Sequence, residues 1–187
     1  MNKIIGILGM QGAIAEHQEI LLQIPHTKTR IVKTAKDLDC IDGLILPGGE
    51  STAIGKLLDY FSLKEILQQK IISGLPVFGT CAGLILLAKN IENQTNTHLA
   101  TMDITVKRNG YGSQLDSFST NLLIPTIDKN MPIPLVFIRA PYITKTDKDV
   151  QILATLDNKI IAARQKNMLV TAFHPELTND LRFHQYF

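Results

Sequence analysis

The stretch Phe78-Gly79-Thr80-Cys81-Ala82-Gly83 joins a short apolar run (75–78) to a helix-forming run (84–89). A nucleophile on so tight a strand-to-helix turn needs small neighbours, because Cβ atoms on either side would clash as the backbone doubles back. Gly79 and Gly83 meet that demand and predict a cysteine whose sulfur is exposed at the top of a sheet. The positive end of the following helix favours a thiolate there. A small buried cysteine beside a packing glycine is the other interpretation of this stretch alone.

The segments around this turn alternate between strand-like and helix-like patterns. Short apolar runs predict buried parallel strands, and stretches with helical periodicity follow them. This alternation predicts an α/β fold: one domain over residues 1–187, with three layers and helices on both faces of an open, mixed but mostly parallel sheet. In the N-terminal half the predicted strands are 4–8, 29–32, 43–46 and 75–78, and the predicted helices are 13–24, 51 or 52 to 60, 63–72 and 84–89.

The second half of the chain is richer in strand patterns. Two polar stretches, 90–98 and 144–149, predict loops. Asp157-Asn158-Lys159 and Lys166-Asn167 predict tight turns between antiparallel neighbours. The predicted strands are 104–108, 117–124, 134–138, 151–156, 160–165 and 168–173.

Composition excludes several classes of function. The 187 residues carry a net charge of +2 and are 45% apolar, which favours neither nucleic acid nor a membrane as partner. Two cysteines are too few for a disulfide framework, and a reactive thiol persists best in a reducing cytoplasm. No metal site is expected, because the remaining histidines lack ligand spacing: His17, His26, His98 and His184.

A second chemical motif, Phe173-His174-Pro175-Glu176, follows an apolar run near the end of the chain. In an extended segment residues i and i+2 share a face, so Glu176 can lie near the His174 ring. A carboxylate there would hold the imidazole tautomer and leave the other ring nitrogen free to take a thiol proton. Alone, the motif is also typical of a structural turn. Together with Cys81 it predicts a Cys-His-Glu triad.

A third motif, Leu46-Pro47-Gly48-Gly49-Glu50-Ser51-Thr52, stands at the end of a predicted strand. Ligands of open α/β sheets gather at that edge. Two adjacent glycines let backbone N–H groups approach a ligand oxygen, which suits an oxyanion hole. A phosphate-binding loop is excluded because no Gly-Lys-Ser/Thr follows and Lys56 lies too far along the helix.

With these motifs in order along the chain, the sequence resembles the class I (triad) glutamine amidotransferases, which have a flavodoxin-like fold. It is most similar to the glutaminase subunits of two-component pyridoxal 5′-phosphate synthases. The narrower resemblance covers nearly the whole chain and rests on residues 8–13 (LGMQGA), 44–52 (LILPGGEST), 78–84 (FGTCAGL), 114–118 (QLDSF), 136–141 (VFIRAP) and 173–178 (FHPELT).

The resemblance implies a role for each matching residue. Cys81 would be the nucleophile, His174 the base and Glu176 its orienting partner, with backbone N–H groups of the Gly48-Gly49 loop and of Ala82 forming the oxyanion hole. It implies no metal and no cofactor, and it implies that ammonia from L-glutamine passes to a separate (β/α)₈ synthase subunit. The residues that would contact glutamine are Gly49, Glu50, Ser51, Arg108, Ile138 and Arg139.

The sequence departs from this family at three places. Asn109-Gly110-Tyr111-Gly112 stands where members have Asn-Ser-Phe-Gly, Tyr142 replaces the usual histidine after Arg-Ala-Pro, and the chain ends at Phe187 where members usually continue with a terminal helix. Two alternatives remain at this stage. One is the glutaminase subunit of another pathway, such as histidine or anthranilate synthesis. The other is a non-catalytic regulatory module of the same fold.

Overall fold

The computed structural model describes residues 2–110 and 117–187. In the N-terminal half, strands and helices alternate as the sequence predicts, and a single 3₁₀ turn precedes the third strand. The elements are β1 (Lys3–Leu8), α1 (Ile14–Leu22), β2 (Thr27–Val32), a 3₁₀ turn (Ala35–Leu38), β3 (Gly43–Leu46), α2 (Ser51–Tyr60), α3 (Lys64–Ile72), β4 (Val77–Thr80) and α4 (Ala82–Leu87).

The C-terminal half contains most of the remaining strands and one short closing helix. Its elements are β5 (Ala88–Ile91), β6 (Met102–Lys107), β7 (Ser117–Leu122), β8 (Ile133–Ile138), β9 (Tyr142–Thr146), β10 (Gln151–Leu156), β11 (Lys159–Gln165), β12 (Met168–Thr171), a 3₁₀ turn (Pro175–Leu177) and α5 (Arg182–Tyr186).

Ten of these strands form one mixed sheet in the order β2-β1-β3-β4-β12-β11-β9-β6-β5, with β10 paired to β11. The five neighbouring strands β2, β1, β3, β4 and β12 run parallel to one another. Strand β11 is antiparallel to its neighbours β12, β10 and β9. Strands β7 and β8 form a separate antiparallel pair. The predicted turns at 157–159 and 166–167 are confirmed, because they join the antiparallel pairs β10–β11 and β11–β12.

The direction of the crossovers places helices on both faces of the sheet. From β1 the chain passes through α1 to β2, toward the edge of the sheet that β2 forms. From β3 it passes through α2 and α3 to β4, in the opposite direction across the sheet. Because such crossovers are right-handed, the two moves put their helices on opposite faces. Strand order therefore reverses between β1 and β3, and ligands of open α/β sheets bind at that point, outside the carboxyl ends of the strands.

Two local predictions in the middle of the chain were wrong. The run at 84–89 was expected to be one helix, but α4 ends at Leu87 and β5 follows, over residues assigned to helix and loop. Amide groups of Leu99 and Thr101 donate to the carbonyls of Leu86 (2.9 Å) and Leu87 (2.9 Å), and these long-range bonds replace the next helical turn. The apolar run alone cannot reveal a competing partner so distant in sequence.

The second wrong prediction concerns strand β9, whose Thr- and Lys-rich sequence was assigned in part to a loop at 144–149. Only Ile143 is buried in it, so its pattern carries little strand signal. The strand forms because β6 and β11 supply pairing on its two sides.

The end of the chain forms the helix α5, and the Phe187 ring packs 5.7 Å from the Phe78 ring, centroid to centroid. Among the described residues, no helix combines the length and apolarity needed to cross a membrane.

Candidate active site

Cys81 occupies the sharp turn between β4 and α4, with φ 48° and ψ −98°. A Cβ atom on Gly79 would lie 2.6 Å from the carbonyl carbon of Gly83, and one on Gly83 would lie 2.1 Å from the carbonyl oxygen of Leu46. The steric prediction for these two glycines is therefore confirmed. The sulfur is less open than predicted, because Cys81 is only 8% exposed and is reached through a cleft.

The predicted partners of Cys81 follow β12, the strand next to β4. Parallel strands β1, β3, β4 and β12 end at one edge of the sheet, so the three sequence motifs meet there. His174 Nδ1 lies 2.7 Å from Glu176 Oε1, and both residues are buried. Glu176 lies near the His174 ring as predicted, but the segment is not extended, because the 3₁₀ turn Pro175–Leu177 follows His174 and holds the pair.

His174 is a much stronger base than free histidine. Burial alone would lower its pKa, but hydrogen bonds to Cys81 and Glu176, and the negative charges of both, raise the pKa to about 10. The ring therefore holds a proton across the neutral range. A protonated imidazole beside a sulfur nucleophile is suited to protonating an amine leaving group.

The glycine loop after β3 packs against this histidine. A Cβ atom on Gly48 would lie 2.4 Å from His174 Cε1, so only glycine allows the approach. The Gly48 N–H donates to Thr80 Oγ1 (3.1 Å), and its carbonyl accepts from the Ala13 amide (2.9 Å). The Gly48 amide is thus already occupied, which leaves Gly49 and Ala82 as the predicted oxyanion donors. Ala82 begins α4, where amides have no partner within the helix.

Glu50 has a structural duty that the sequence did not indicate. The first turn of α2 was expected to be capped by Ser51 or Thr52, but Glu50 is the cap: its carboxylate accepts from the amides of Thr52 (3.1 Å) and Ala53 (2.6 Å). Arg108 Nη2 donates to the same carboxylate at 3.1 Å. Burial would raise the pKa of Glu50, but these amides and Arg108 lower it, so the residue is a carboxylate at the cleft.

Two other predicted glutamine contacts reach the cleft without protein partners in the described part of the chain. The Ser51 hydroxyl is buried and makes no hydrogen bond there, and the Arg139 guanidinium has no ion pair or hydrogen bond there. Ile138 is 39% exposed, and its carbonyl oxygen lies 3.9 Å from Cys81 Sγ.

All the predicted site residues except Glu176 therefore line one cleft of about 710 Å³. The cleft brings together the residues Gly49, Glu50, Ser51, Cys81, Ala82, Arg108, Ile138, Arg139 and His174, with Glu176 directly behind His174. Gln11 also lines it and accepts from the Glu50 amide at 2.8 Å. Residues 114–116 of the fourth motif, and Tyr111 and Gly112, lie outside the described residues.

Two histidines that were given no role in the sequence analysis lie behind the triad. His17 is fully buried, 3.6 Å from Glu176 Oε2, and hydrogen-bonds to His184. Nothing in the spacing of residues 17, 176 and 184 signals this cluster, because three different elements bring them together. Within residues 2–110 and 117–187, no group of three or more His, Cys, Asp or Glu residues could hold a metal ion.

Comparison with known proteins agrees with this geometry. Residues 7–187 match the SNO glutamine amidotransferase family. Among similar chains, the pyridoxal 5′-phosphate synthase subunit PdxT of Ruminiclostridium cellulolyticum is 54% identical over 99% of this chain and 97% of its own. The subunit of the same name from Carboxydothermus hydrogenoformans is 55% identical over 98% of this chain and 95% of its own.

Solved structures show the same architecture. A crystal structure of a glutamine amidotransferase superposes with a TM-score of 0.90 at 37% identity, covering 97% of this chain and 95% of its own. The structure of PurLQS from Thermotoga maritima shares the fold alone, with a TM-score of 0.69 at 16% identity over 94% of this chain and 89% of its own. The predicted fold class is thereby confirmed.

Proposed function

The chain belongs to the SNO glutamine amidotransferase family, and from that premise we propose that it is the glutaminase subunit of a pyridoxal 5′-phosphate synthase. It hydrolyses L-glutamine to L-glutamate and ammonia for vitamin B6 biosynthesis. One observation carries the chemistry: the buried His174–Glu176 pair, 2.7 Å apart, at the cleft that also contains Cys81.

We assign the reaction steps to Cys81 and His174. The Cys81 thiolate attacks the side-chain amide carbon of glutamine, and the carbonyl oxygen becomes an oxyanion held by the amides of Gly49 and Ala82. Protonated His174 gives its proton to the departing nitrogen, the C–N bond breaks, and ammonia leaves. His174 then takes a proton from water, which attacks the thioester and releases glutamate and the thiolate. Glu176 keeps the imidazole oriented and its positive charge stabilised throughout.

Recognition of glutamine requires donors for its α-carboxylate and acceptors for its α-ammonium. The Glu50 carboxylate suits the ammonium, and Arg139 suits the carboxylate because its guanidinium has no other partner among the described residues. Arg108 serves indirectly, since it donates to both Glu50 and Thr52.

The partner we propose is a separate synthase subunit with a (β/α)₈ fold, which takes up the ammonia in the cytoplasm. The mouth of the cleft suits a docking surface, because exposed apolar side chains of Ile138 (39%) and Leu177 (40%) flank it. Docking there would keep released ammonia from water. We expect the isolated chain to be a poor glutaminase whose oxyanion hole is completed on docking, a gain of about 10²–10³ in turnover.

The two alternatives differ in partner and in activity. A glutaminase for histidine or anthranilate synthesis would share the triad but serve a different synthase, and the relatives that are 54–55% identical carry the pyridoxal 5′-phosphate name instead. A regulatory module would not need His174 and Glu176 to be buried in hydrogen-bond contact beside Cys81.

The decisive experiment is reconstitution. The chain is mixed with the synthase subunit encoded by the same genome, glutamine, a pentose phosphate and a triose phosphate. Glutamate release and pyridoxal 5′-phosphate formation are measured, with Cys81→Ala as the control. Both products are expected with the wild-type chain, and the pyridoxal 5′-phosphate signal should return with ammonium salt in the Cys81→Ala mixture. Glutamate release without pyridoxal 5′-phosphate would point to another pathway. The absence of both products would favour the regulatory module.

A further inference from the structure

Two buried histidines stand in contact behind the triad, and the reaction as written above uses neither. His17 lies on α1 and His184 on α5, and their exposed fractions are 0% and 4%. His17 Nδ1 is 2.9 Å from His184 Nε2, and His17 Nε2 is 3.2 Å from Thr80 Oγ1. Buried side-chain polar atoms are mostly hydrogen-bonded, and of the four ring nitrogens only His184 Nδ1 lacks a partner among the described residues.

The charge state of the pair follows from its burial. Desolvation lowers the pKa of His17 well below its ordinary value of 6.5, and the neighbouring His184 and His174 lower it further. Burial lowers the pKa of His184 to about 4. Both rings are therefore neutral near pH 7, and each carries one N–H group.

The surroundings of His17 select which nitrogen carries that hydrogen. Its Nε2 faces Glu176 Oε2 at 3.6 Å as well as Thr80 Oγ1. A lone pair on Nε2 would point at the carboxylate and be repelled, whereas an N–H there is attracted. His17 is therefore the Nε2–H tautomer, and its Nδ1 accepts a hydrogen from His184 Nε2.

This tautomer connects two parts of the catalytic apparatus. Glu176 Oε1 is committed to His174, and Glu176 Oε2 is buried with no hydrogen bond from the described residues. The 3.6 Å separation is longer than a hydrogen bond, so the His17 N–H acts on Oε2 as an oriented dipole. Thr80 Oγ1 accepts from the Gly48 amide, next to the predicted oxyanion donor Gly49, and in this tautomer it also accepts from His17.

Neutrality suits this position. A cation beside Glu176 would compete with His174 for the carboxylate charge and weaken the stabilisation of the imidazolium. A neutral N–H restrains the carboxylate without neutralising it.

We propose that His17 is a positioning residue for the glutaminase reaction: its Nε2–H restrains the free oxygen of Glu176 and, through Thr80, the amide of Gly48. The proposal rests on the proposed function, since it assigns His17 a part in that same site.

The first test needs no variant. Nitrogen-15 chemical shifts of the imidazole rings in the wild-type chain report which nitrogen of His17 is protonated at neutral pH. The Nε2–H tautomer is expected. An Nδ1–H tautomer, or a charged ring, would overturn the proposal.

The second test uses two variants that keep different halves of the ring. The amide nitrogen of glutamine can reach the position of Nε2, and the amide of asparagine reaches only that of Nδ1. His17→Gln should therefore keep kcat within a few-fold of wild type, whereas His17→Asn should lower kcat by about 10–100-fold, the range found for groups that orient metal-bound side chains. KM for glutamine should change little in either. Equal losses in both variants, or a larger loss in His17→Gln, would mean that His17 serves only packing or its contact with His184.

The third readout separates positioning from stability. The titratable groups facing His174 are Cys81 and Glu176, with His17 behind them. When Glu176 is less restrained it stabilises the imidazolium less. The pKa of His174, about 10 in wild type, should therefore be lower in His17→Asn and unchanged in His17→Gln. A general loss of stability would reduce activity equally at every pH. The His174 pKa is followed by NMR, which needs no turnover. If wild type released no glutamate even with the synthase subunit present, the proposed function would fail, while this measurement would still decide the role of His17.

Discussion

The cleft has two walls of opposite character. The catalytic wall is buried, with Cys81 8%, His174 7% and Glu176 5% exposed. The recognition rim is open, because the Glu50 side chain is 51% and the Arg108 side chain 29% exposed. The catalytic wall is the set of proposed catalytic residues Cys81, His174 and Glu176, and the recognition rim is the set of proposed glutamine contacts Glu50, Arg108, Ile138 and Arg139.

The difference in burial brings a difference in what holds each wall. Residues of the catalytic wall follow strands β4 and β12, which are in register within the core, so their spacing is set by the sheet. Residues of the recognition rim stand on a helix cap and at strand ends. Salt screens their exposed ion pairs, which contribute only about 0–1 kcal/mol to the stability of the fold. We infer that changes in the catalytic wall affect turnover, and that changes in the recognition rim affect affinity.

The largest effect is expected at the nucleophile. Cys81→Ala removes the thiolate while changing only one small side chain, and because triad members act as a unit, glutaminase turnover should fall by about 10⁴–10⁶. The thermal midpoint should stay close to wild type. Glutamate release with saturating glutamine, in the presence of the synthase subunit, measures the first quantity and circular dichroism the second.

The other cysteine supplies a matched control. Cys40 is exposed, so a general alkylating reagent reaches it readily, whereas an electrophilic glutamine analogue should modify Cys81. Cys40→Ser is expected to retain full activity and full labelling by the analogue. Analogue labelling confined to Cys40, or a fully active Cys81→Ala chain, would remove Cys81 from the catalytic wall.

The next largest effect is expected at Glu176. Glu176→Gln keeps the size of the side chain but removes the charge that stabilises protonated His174, and it can impose the wrong imidazole tautomer, so kcat should fall by up to about 10⁴. The change should also be visible in the pH profile. The pKa of His174 is about 10 because of Cys81 and Glu176, so without the negative charge of Glu176 the pKa falls toward 6.5.

The direction of the pH effect is fixed by the role of His174. Ammonia departure needs the protonated ring, so activity is lost as pH rises through the pKa of His174. The alkaline limb of kcat should therefore move to lower pH in Glu176→Gln. A limb at the wild-type position would show that Glu176 does not govern the charge of His174.

The positions of Cys81, His174 and Glu176 at one site were more predictable from the sequence than the surroundings that hold them. Cys81, His174 and Glu176 stand in short motifs whose geometry is local, a glycine-flanked turn and an i, i+2 pair, so their spacing carries the signal. The open α/β sheet was likewise predictable because each buried strand is a compact apolar run.

Contacts between distant residues were not predictable in this way. Strand β9 depends on pairing with β6 and β11, and α4 is ended by amides of residues 99 and 101. Glu50 was predicted to contact a ligand but not to cap α2, since a glutamate is not a preferred cap residue. The position of His17 depends on three elements at once, and no single segment encodes it.

A smaller effect, on affinity, is expected at Glu50. Glu50→Gln removes a charged hydrogen-bond acceptor for the α-ammonium of glutamine and should weaken binding by about 1–3 kcal/mol. This corresponds to an increase of roughly 5–150-fold in the dissociation constant, with kcat changed much less. Calorimetric titration of glutamine into a Cys81→Ala background measures the affinity without turnover.

The cap duty of Glu50 requires a control, because a weaker α2 could also weaken the cleft. Glu50→Ser removes the same charge but supplies a preferred cap residue, which differs from an uncapped helix by about 0.5–2 kcal/mol. Equal losses of affinity in the two variants, with better stability for Glu50→Ser, would assign the loss to the charge. An unchanged affinity in both would remove Glu50 from the recognition rim.

The smallest effect on catalysis is expected at Gly110, next to the recognition rim, where two departures from the family pattern meet. A Cβ atom on Gly110 would lie 2.1 Å from Tyr142 Cδ1, so the tyrosine ring occupies the space that a larger residue at 110 would need. Gly110→Ala should therefore cost about 1–3 kcal/mol of unfolding free energy through overpacking. In a Tyr142→Ala background the clash is gone, and the same substitution should become neutral or stabilise by up to about 1 kcal/mol, because alanine restricts the unfolded chain. Chemical denaturation of the four chains gives this coupling.

Since Gly110 lies two residues after Arg108, KM should change by a few-fold at most while kcat stays constant. A fall in kcat with Gly110→Ala would show that strain in the recognition rim reaches the catalytic wall, and the two walls would then not be independent.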